Sequence, residues 1–201
     1  MPPRHTKSEF ASYLLPAWMI GRNPNYKIIQ ATHTADLAID FGRKTKNLVD
    51  EQKYGEMFNT RLQEDSQAAG KWKTQQGGEY FAAGVGGAIT GRGADLLIID
   101  DPHSEQDALN LTALERAYEW YTSGPRQRLQ PGGAICLVMT RWSKKDLTGM
   151  ITRASVERGG SDEWEIIELP AILPSGKSLW PGFWPIEQLE SLRAELPIGK
   201  W

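Results

Sequence analysis

The sequence predicts an α/β domain whose mostly parallel sheet is flanked by helices. Three observations carry this reading. Segments with strand character alternate with segments of helical periodicity along the chain, the pattern of parallel strands joined by helical crossovers. The apolar runs Leu96–Ile99 and Ile135–Met139 do not alternate with polar residues, so they suit strands covered on both faces. The 201 residues have room for one sizeable domain or two very small ones, and 40% hydrophobic with 24% charged residues is enough to bury a core without staples.

Each element follows from local signals. Ser8 to about Ile20 reads as a helix with Phe10, Leu14 and Trp18 near one face. The run Gly21-Arg22-Asn23-Pro24-Asn25 is a turn, and Tyr26 to Ala31 a short strand. Thr34 is placed to cap a helix from Ala35 to about Lys53, with Leu37, Phe41 and Leu48 as its apolar points. Residues from Met57 to Gln76 are polar and receive no assignment. Glu79 to Ala83 reads as a strand, Gly84 to Gly93 as a glycine-rich link, and Asp95 to Ile99 as a strand. Leu111 to Tyr121 is a helix stopped by Ser123-Gly124-Pro125. Ala134 to Met139 is a strand after the turn Gln130-Pro131-Gly132-Gly133, and Lys144 to about Arg158 a helix. Trp164 to Leu169 reads as a strand, and Pro185 to about Glu195 as a helix with proline in its first turn.

Composition removes several function classes. A formal net charge of −2 gives no global basic field for nucleic acid, so any such contact is local. The single cysteine, Cys136, sits in an apolar run and reads as a small buried hydrophobe. No apolar run approaches the roughly 18 residues of a membrane span, and the N-terminus lacks a signal-like apolar stretch. His5, His33 and His103 are too scattered for a zinc site. Trp180 and Trp184, around Pro181-Gly182-Phe183, read as a packed loop rather than a base-stacking platform.

Two short motifs carry chemistry. Met1-Pro2-Pro3-Arg4-His5-Thr6-Lys7-Ser8 runs into a helix, with Lys7-Ser8 where a phosphate cradle of the form G-x-x-x-x-G-K-[ST] has its lysine and hydroxyl. Thr6 and Met1 stand in place of the two glycines, so these residues also fit a plain helix cap. The second motif, Leu96-Leu97-Ile98-Ile99-Asp100-Asp101-Pro102, ends an apolar strand in two adjacent acids. Asp-Pro commonly opens a turn, but two like charges at a strand end are better accommodated beside a divalent cation. A phosphate-loop enzyme needs such an acid for Mg²⁺ and a neighbour to polarise the attacking water.

Together with these motifs, the segments PPRHTKSEFAS, GRGADLLIIDDP and LVMTRWSKKDLTG resemble, in order and over nearly the whole chain, the ATPase half of the large terminase subunit of tailed bacteriophages. The resemblance implies a phosphate-loop NTPase fold (RecA-like, ASCE) and ATP hydrolysis that powers translocation of viral DNA. It implies ATP and Mg²⁺ as cofactors, with Arg4, His5, Thr6, Lys7 and Ser8 forming the nucleotide loop. Lys7 would contact the outer phosphates, Arg4 would lie near them, and Ser8 and Asp100 would hold the metal. Asp101 would stand in the catalytic position, where glutamate is more usual. Thr140 would sense the terminal phosphate, and Arg141 would link hydrolysis to movement, although Arg141-Trp142 also fits a stacked structural pair. Arg92, in the glycine-rich loop, would reach phosphate or a neighbouring subunit, or would be a solvated surface arginine. Arg126 or Arg128 would act in trans as an arginine finger, or be solvated. Implied partners are double-stranded viral DNA, the portal protein, a small terminase subunit and further copies in a ring on the capsid, in the host cytoplasm and without a membrane.

The resemblance also implies departures. Residues 1–201 match a partial motor domain that lacks its first core strand and the C-terminal nuclease, so weak ATP binding by this chain alone is expected. Alternatives are a truncated, catalytically inactive fragment that acts through partner contacts, a metal-dependent nuclease and a helicase-like ATPase of another class. The nuclease would need acids beyond Asp100 and Asp101, for which Glu165 and Glu168 are the candidates.

Overall fold

The computed structural model describes residues 1–157 and 163–195. Among them, β1 (Lys27–Thr32), β2 (Leu62–Ala68), β3 (Lys71–Thr74), β4 (Glu79–Gly84), β5 (Ala94–Asp100) and β6 (Leu129–Val138) form one sheet. Its order is β2-β3-β4-β1-β5-β6. β1 runs parallel to β4 and β5, and β5 parallel to β6, while β3 is antiparallel to β2 and β4. The mostly parallel α/β sheet expected from the sequence is therefore what the chain forms. No described strand precedes the Arg4–Ser8 loop.

The unbroken apolar run in β5 has a simple cause. Successive side chains point to opposite faces. Leu96 and Ile98 join one core with Ile28, Trp72 and Tyr80, while Leu97 and Ile99 join a second with Ile29, Tyr121 and Leu147. Helices α1 (Leu15–Arg22), α2 (Ala35–Val49) and α3 (Gln52–Phe58) supply Ile20, Val49 and Tyr54 to the first core. Helices α4 (Leu111–Ser123) and α5 (Leu147–Glu157) cover the second face, and α6 (Ile186–Glu195) follows an irregular segment.

Several expectations need correction. The first helix begins as a π-helical stretch, Glu9–Leu14, and becomes α-helical at α1. Pro16 has no N–H to give the carbonyl one turn back, which favours a widened turn there. Phe10, Leu14 and Trp18, expected on its core face, are exposed; Ala11, Ser12, Ala17 and Ile20 are buried instead. In α2 the buried stripe is made of small residues, Ala38, Gly42, Thr45 and Val49, with Leu37, Phe41 and Leu48 flanking it. Thr34 caps this helix as expected, its hydroxyl accepting from the Leu37 N–H.

The long helix expected to Lys53 breaks at Asp50 and Glu51, and α3 starts a new axis. The break turns Tyr54 into the core, where its hydroxyl donates to Ala17 O at 2.6 Å. The unassigned region contains the β2–β3 hairpin. β2 is polar and half exposed, so neither periodicity nor propensity marks it; Trp72 on β3 anchors the pair by stacking on Tyr80 at 5.1 Å. β6 starts earlier than expected and absorbs Pro131-Gly132-Gly133 within an irregular ladder. The segment Trp164 to Leu169 forms no strand, and Ile166 and Ile167 are exposed: a strand needs a paired neighbour, and this segment has none among the described residues. Arg158, the expected end of α5, lies outside the described residues.

Gly42 reports on how closely α2 approaches the sheet. A Cβ there would lie 2.5 Å from Ala69 O and 2.9 Å from the Tyr80 ring, and the Gly42 carbonyl accepts from Trp72 Nε1 at 3.1 Å. Gly42→Ala is expected to destabilise the fold by about 1–3 kcal/mol, read from urea unfolding, despite alanine's better helix propensity. A neutral or stabilising result would show that helix and hairpin can separate.

Candidate functional site

The C-terminal ends of β1, β5 and β6 open toward the Arg4–Ser8 loop, the position where open α/β sheets take ligands. The loop is unusual in backbone. Arg4 and Thr6 both have positive φ, 58° and 62°, although neither is glycine. For a β-branched threonine this is a costly conformation, of order 1–3 kcal/mol. It falls where the phosphate-cradle pattern has its second glycine. Alternating left- and right-handed residues make a concavity of N–H groups suited to an anion.

The side chains of this loop reach the two acids. Lys7 Nζ pairs with Asp101 Oδ2 at 2.5 Å, the lysine nearly buried. Ser12 donates to Asp100 Oδ2 at 2.6 Å, across 88 residues of sequence, and itself accepts from Gln30 Nε2 at 3.0 Å. Ser8 makes no side-chain cap to the helix; its hydroxyl lies near enough to Asp100 to help lower that carboxyl's pKa. That contact separates the loop from an ordinary helix cap. Thr6 donates to His5 O, and His5 Nδ1 meets Pro3 O at 2.9 Å, so both residues shape the turn.

The acids differ. Asp100 is 2% exposed and its Oδ1 has no hydrogen-bond partner. Burial pushes its carboxyl above the usual range, opposed by the hydrogen bonds from Ser12 and Ser8; Asp101 raises it further and Lys7 lowers it. Asp101 has positive φ, 42°, and its N–H donates to Val138 O at 2.9 Å. Its Oδ1 accepts from the Thr140 N–H at 3.0 Å. Thr140 thus reaches the site through its backbone.

The other expected residues are placed differently. Arg141 is held by Asp146 at 2.9 Å and gives Nη2 to Ser143 O, which favours the structural role over a free coupling arm. Trp142 donates its backbone N–H to the same carboxylate. Arg92 pairs with Glu79 and lies over the Phe81 ring at 3.7 Å, so it is held on β4 rather than directed to a phosphate. Arg126 and Arg128 sit at the start of β6, the opposite end of that strand from Thr140. Glu165 and Glu168 lie in the irregular segment before α6. Among the described residues no group of three or more His, Cys, Asp or Glu could hold a metal ion. No described helix is long and apolar enough to cross a membrane.

Some participants went unread in the sequence. Ser12 stands four residues after Ser8, a spacing that puts both on one helical face. Asp146 stands three after Ser143, the spacing of a capping box. It accepts from Arg141 and from the N–H groups of Trp142, Ser143 and Gly149. Burial would raise its carboxyl, but these donors outweigh that and hold it below the usual range. His103 Nε2 accepts from the Leu147 N–H at 2.9 Å, and burial lowers its pKa, which keeps the ring a neutral acceptor.

No family model matches the chain, and no curated protein matches it. Among solved structures, the crystal structure of the HK97 bacteriophage large terminase aligns with a TM-score of 0.49 at 15% identity, over 96% of this chain and 42% of that one. The chain thus spans less than half the length of that protein.

The Asp100 environment gives a stability test. Its folded pKa is raised, so the fold favours the protonated acid; this stabilisation is present at low pH and lost as pH rises through the folded value. Asp100→Asn is neutral at every pH. It is expected to melt about 2–4 °C above the parent at neutral pH, the shift that about 1 kcal/mol gives a chain of this size. The difference should close once the pH falls below the carboxylate range. Thermal melts across pH check this, and a lower melting point at neutral pH would mean that Asp100 is stabilised by its ionised contacts.

Proposed function

We propose that the chain is a Mg²⁺-dependent phosphate-loop ATPase, the motor portion of a large terminase subunit that packages viral double-stranded DNA. The observation that carries this is the convergence of Lys7 and Ser8 on Asp101 and Asp100, two motifs far apart in sequence whose functional groups meet at the end of β5.

The residues present fit the implied cofactors. Asp100 offers a buried carboxylate oxygen with no partner, and the strained Arg4–Thr6 turn offers backbone N–H groups. Nucleotide-bound Mg²⁺ keeps several waters and needs only one or two protein oxygens, so a large carboxylate cluster is unnecessary. Ser8 and Asp100 would hold the metal, which would neutralise charge on the phosphates. Lys7 would exchange its pairing with Asp101 for a phosphate oxygen. Asp101, so released, would orient the attacking water while the Thr140 N–H keeps the carboxylate in place. Arg4 would add positive charge at the loop. The DNA, portal, small-subunit and ring partners belong to this proposal through the sequence resemblance. With a net charge of −2, this part of the motor need not grip DNA by itself.

The test is ATP hydrolysis with and without Mg²⁺, at millimolar nucleotide. Lys7→Ala, Asp100→Asn and Asp101→Asn are each expected to lower the Mg²⁺-dependent rate by about 100-fold or more, with circular dichroism confirming the fold. A rate unchanged by Lys7→Ala, or no hydrolysis by the parent chain, would defeat the proposal.

A further inference from the structure

Gln30 is out of place in its strand. β1 is buried along nearly its whole length, and Gln30 sits among Ile28, Ile29 and Ala31 with 0% of its surface exposed. An apolar side chain there would need no hydrogen-bond partner. Alternation along the strands explains where its amide goes. Gln30 follows Ile28 on the face that carries α1, α2 and α3, and Asp100 follows Leu96 and Ile98 on the same face. Ser12, also 0% exposed, reaches this face from the helix into which the Arg4–Ser8 loop runs.

The three side chains form a relay with one direction. The Ser12 hydroxyl has a single hydrogen and gives it to Asp100 Oδ2 at 2.6 Å. Ser12 can therefore only accept from Gln30, which sets Nε2 on Ser12 at 3.0 Å and turns Oε1 away. Gln30 Oε1 is left buried without a partner. An unpaired buried acceptor is costly, so the amide has its use in the bond that it donates. The helix contributes as well. Ser12 lies in the π-helical stretch Glu9–Leu14, where the Leu15 N–H reaches back to Phe10 O, one residue further than in an α-helix. Such widened turns recur at functional sites. The result at Asp100 is an acid with Oδ2 engaged and Oδ1 without a partner.

We infer that Ser12 and Gln30 are positioning residues that make Asp100 a one-oxygen ligand and so select Mg²⁺ over Ca²⁺ as the cation of the bound nucleotide; the inference rests on the Mg²⁺–nucleotide reading above and adds the basis of its metal choice. Mg²⁺ demands near-octahedral geometry and takes one or two carboxylates beside its waters, whereas Ca²⁺ is larger, gathers about six to eight oxygens and accepts a carboxylate through both of its own. A carboxylate whose Oδ2 is held by a buried hydroxyl suits the smaller ion. Because Ser12 is itself tied to Gln30, the carboxyl cannot turn to present both oxygens without disturbing two buried hydrogen bonds. Both residues act through Asp100.

The experiment measures dissociation constants of Mg²⁺–ADP, Ca²⁺–ADP and metal-free ADP by calorimetry, on the parent chain and on Ser12→Ala, Ser12→Thr and Gln30→Met, with circular dichroism confirming each fold. The parent is expected to bind Mg²⁺–ADP about tenfold more tightly than Ca²⁺–ADP, the lower end of what outer-shell partners contribute to metal affinity. Ser12→Ala frees Oδ2 and should bring the two metal complexes within about twofold of each other, with metal-free ADP within about twofold of the parent. Ser12→Thr keeps the hydroxyl and should keep the preference. Gln30→Met keeps the volume and removes the donor; it should reduce the preference in the same direction, and it decides the matter where Ser12→Ala does not fold. A preference left intact by Ser12→Ala or, in its place, by Gln30→Met overturns the positioning role alone, as does a parent that binds both metal complexes equally. So does a Ser12→Ala variant that weakens all three ligands alike, since the hydroxyl would then only support the loop. Failure of the parent to bind ADP with either metal overturns the phosphate-loop reading and this inference with it.

Discussion

A strand buried on both faces that ends in two adjacent carboxylates is the constraint around which this molecule is arranged. Burying Leu96, Leu97, Ile98 and Ile99 stabilises the fold by about 1.5–3 kcal/mol for each side chain. That sum exceeds the several kcal/mol needed to take one carboxylate out of water, so β5 can carry Asp100 into the interior. The charge must still be met locally. Ser12, backed by Gln30, meets one oxygen of Asp100, and Lys7 meets Asp101. The other oxygen of Asp100 is left without a partner, and burial raises the carboxyl's pKa.

The same acids hold the loops that follow the strands. Asp101 takes the Thr140 N–H and gives its own N–H to Val138, so the end of β6 and the turn after β5 are one unit. His103, two residues on, receives the Leu147 N–H at the start of α5. Between these ties, Asp146 gathers Arg141 and the backbone of the intervening turn. Asp101 therefore holds the Thr140 end of residues 140–147, and His103 holds the Leu147 end. On the other side of the loop, the Trp180–Trp184 block is fastened through His5 and Arg4, so the segment before α6 is also placed by the first residues of the chain.

Legibility in the sequence followed the strength of the local signal. Strands β1, β4, β5 and the apolar half of β6 were readable from their short runs of apolar and β-favouring residues; β1 and β5 are buried along nearly their whole length, whereas Ile135–Val138, in the edge strand β6, are half-buried and not covered on both faces as expected. The β2–β3 hairpin was not, because its largest buried side chain, Trp72, owes its burial to Tyr80 and Gly42, which are local to neither strand. Amphipathic reading misjudged the first two helices for a related reason. Large side chains such as Phe10 and Trp18 look like core residues, but close packing selected the small residues on another face, Ala11, Ser12 and Ala17 in one helix and Ala38 and Gly42 in the other. Trp164 to Leu169 has the composition of a strand without a strand beside it.

The sequence by itself determined the α/β alternation, the acids at the end of β5 and the Lys7-Ser8 pair before a helix, because each is written in contiguous residues whose chemistry is local. Only the tertiary structure decided that these groups meet, that Ser12 and Gln30 stand behind Asp100, and that Arg92 and Arg141 are engaged by Glu79 and Asp146. It also decided that Trp180, far along the chain, faces a cavity beside Phe10. Such outcomes depend on which surfaces the packed sheet and helices bring within a few ångströms, and no spacing along a single chain encodes that distance.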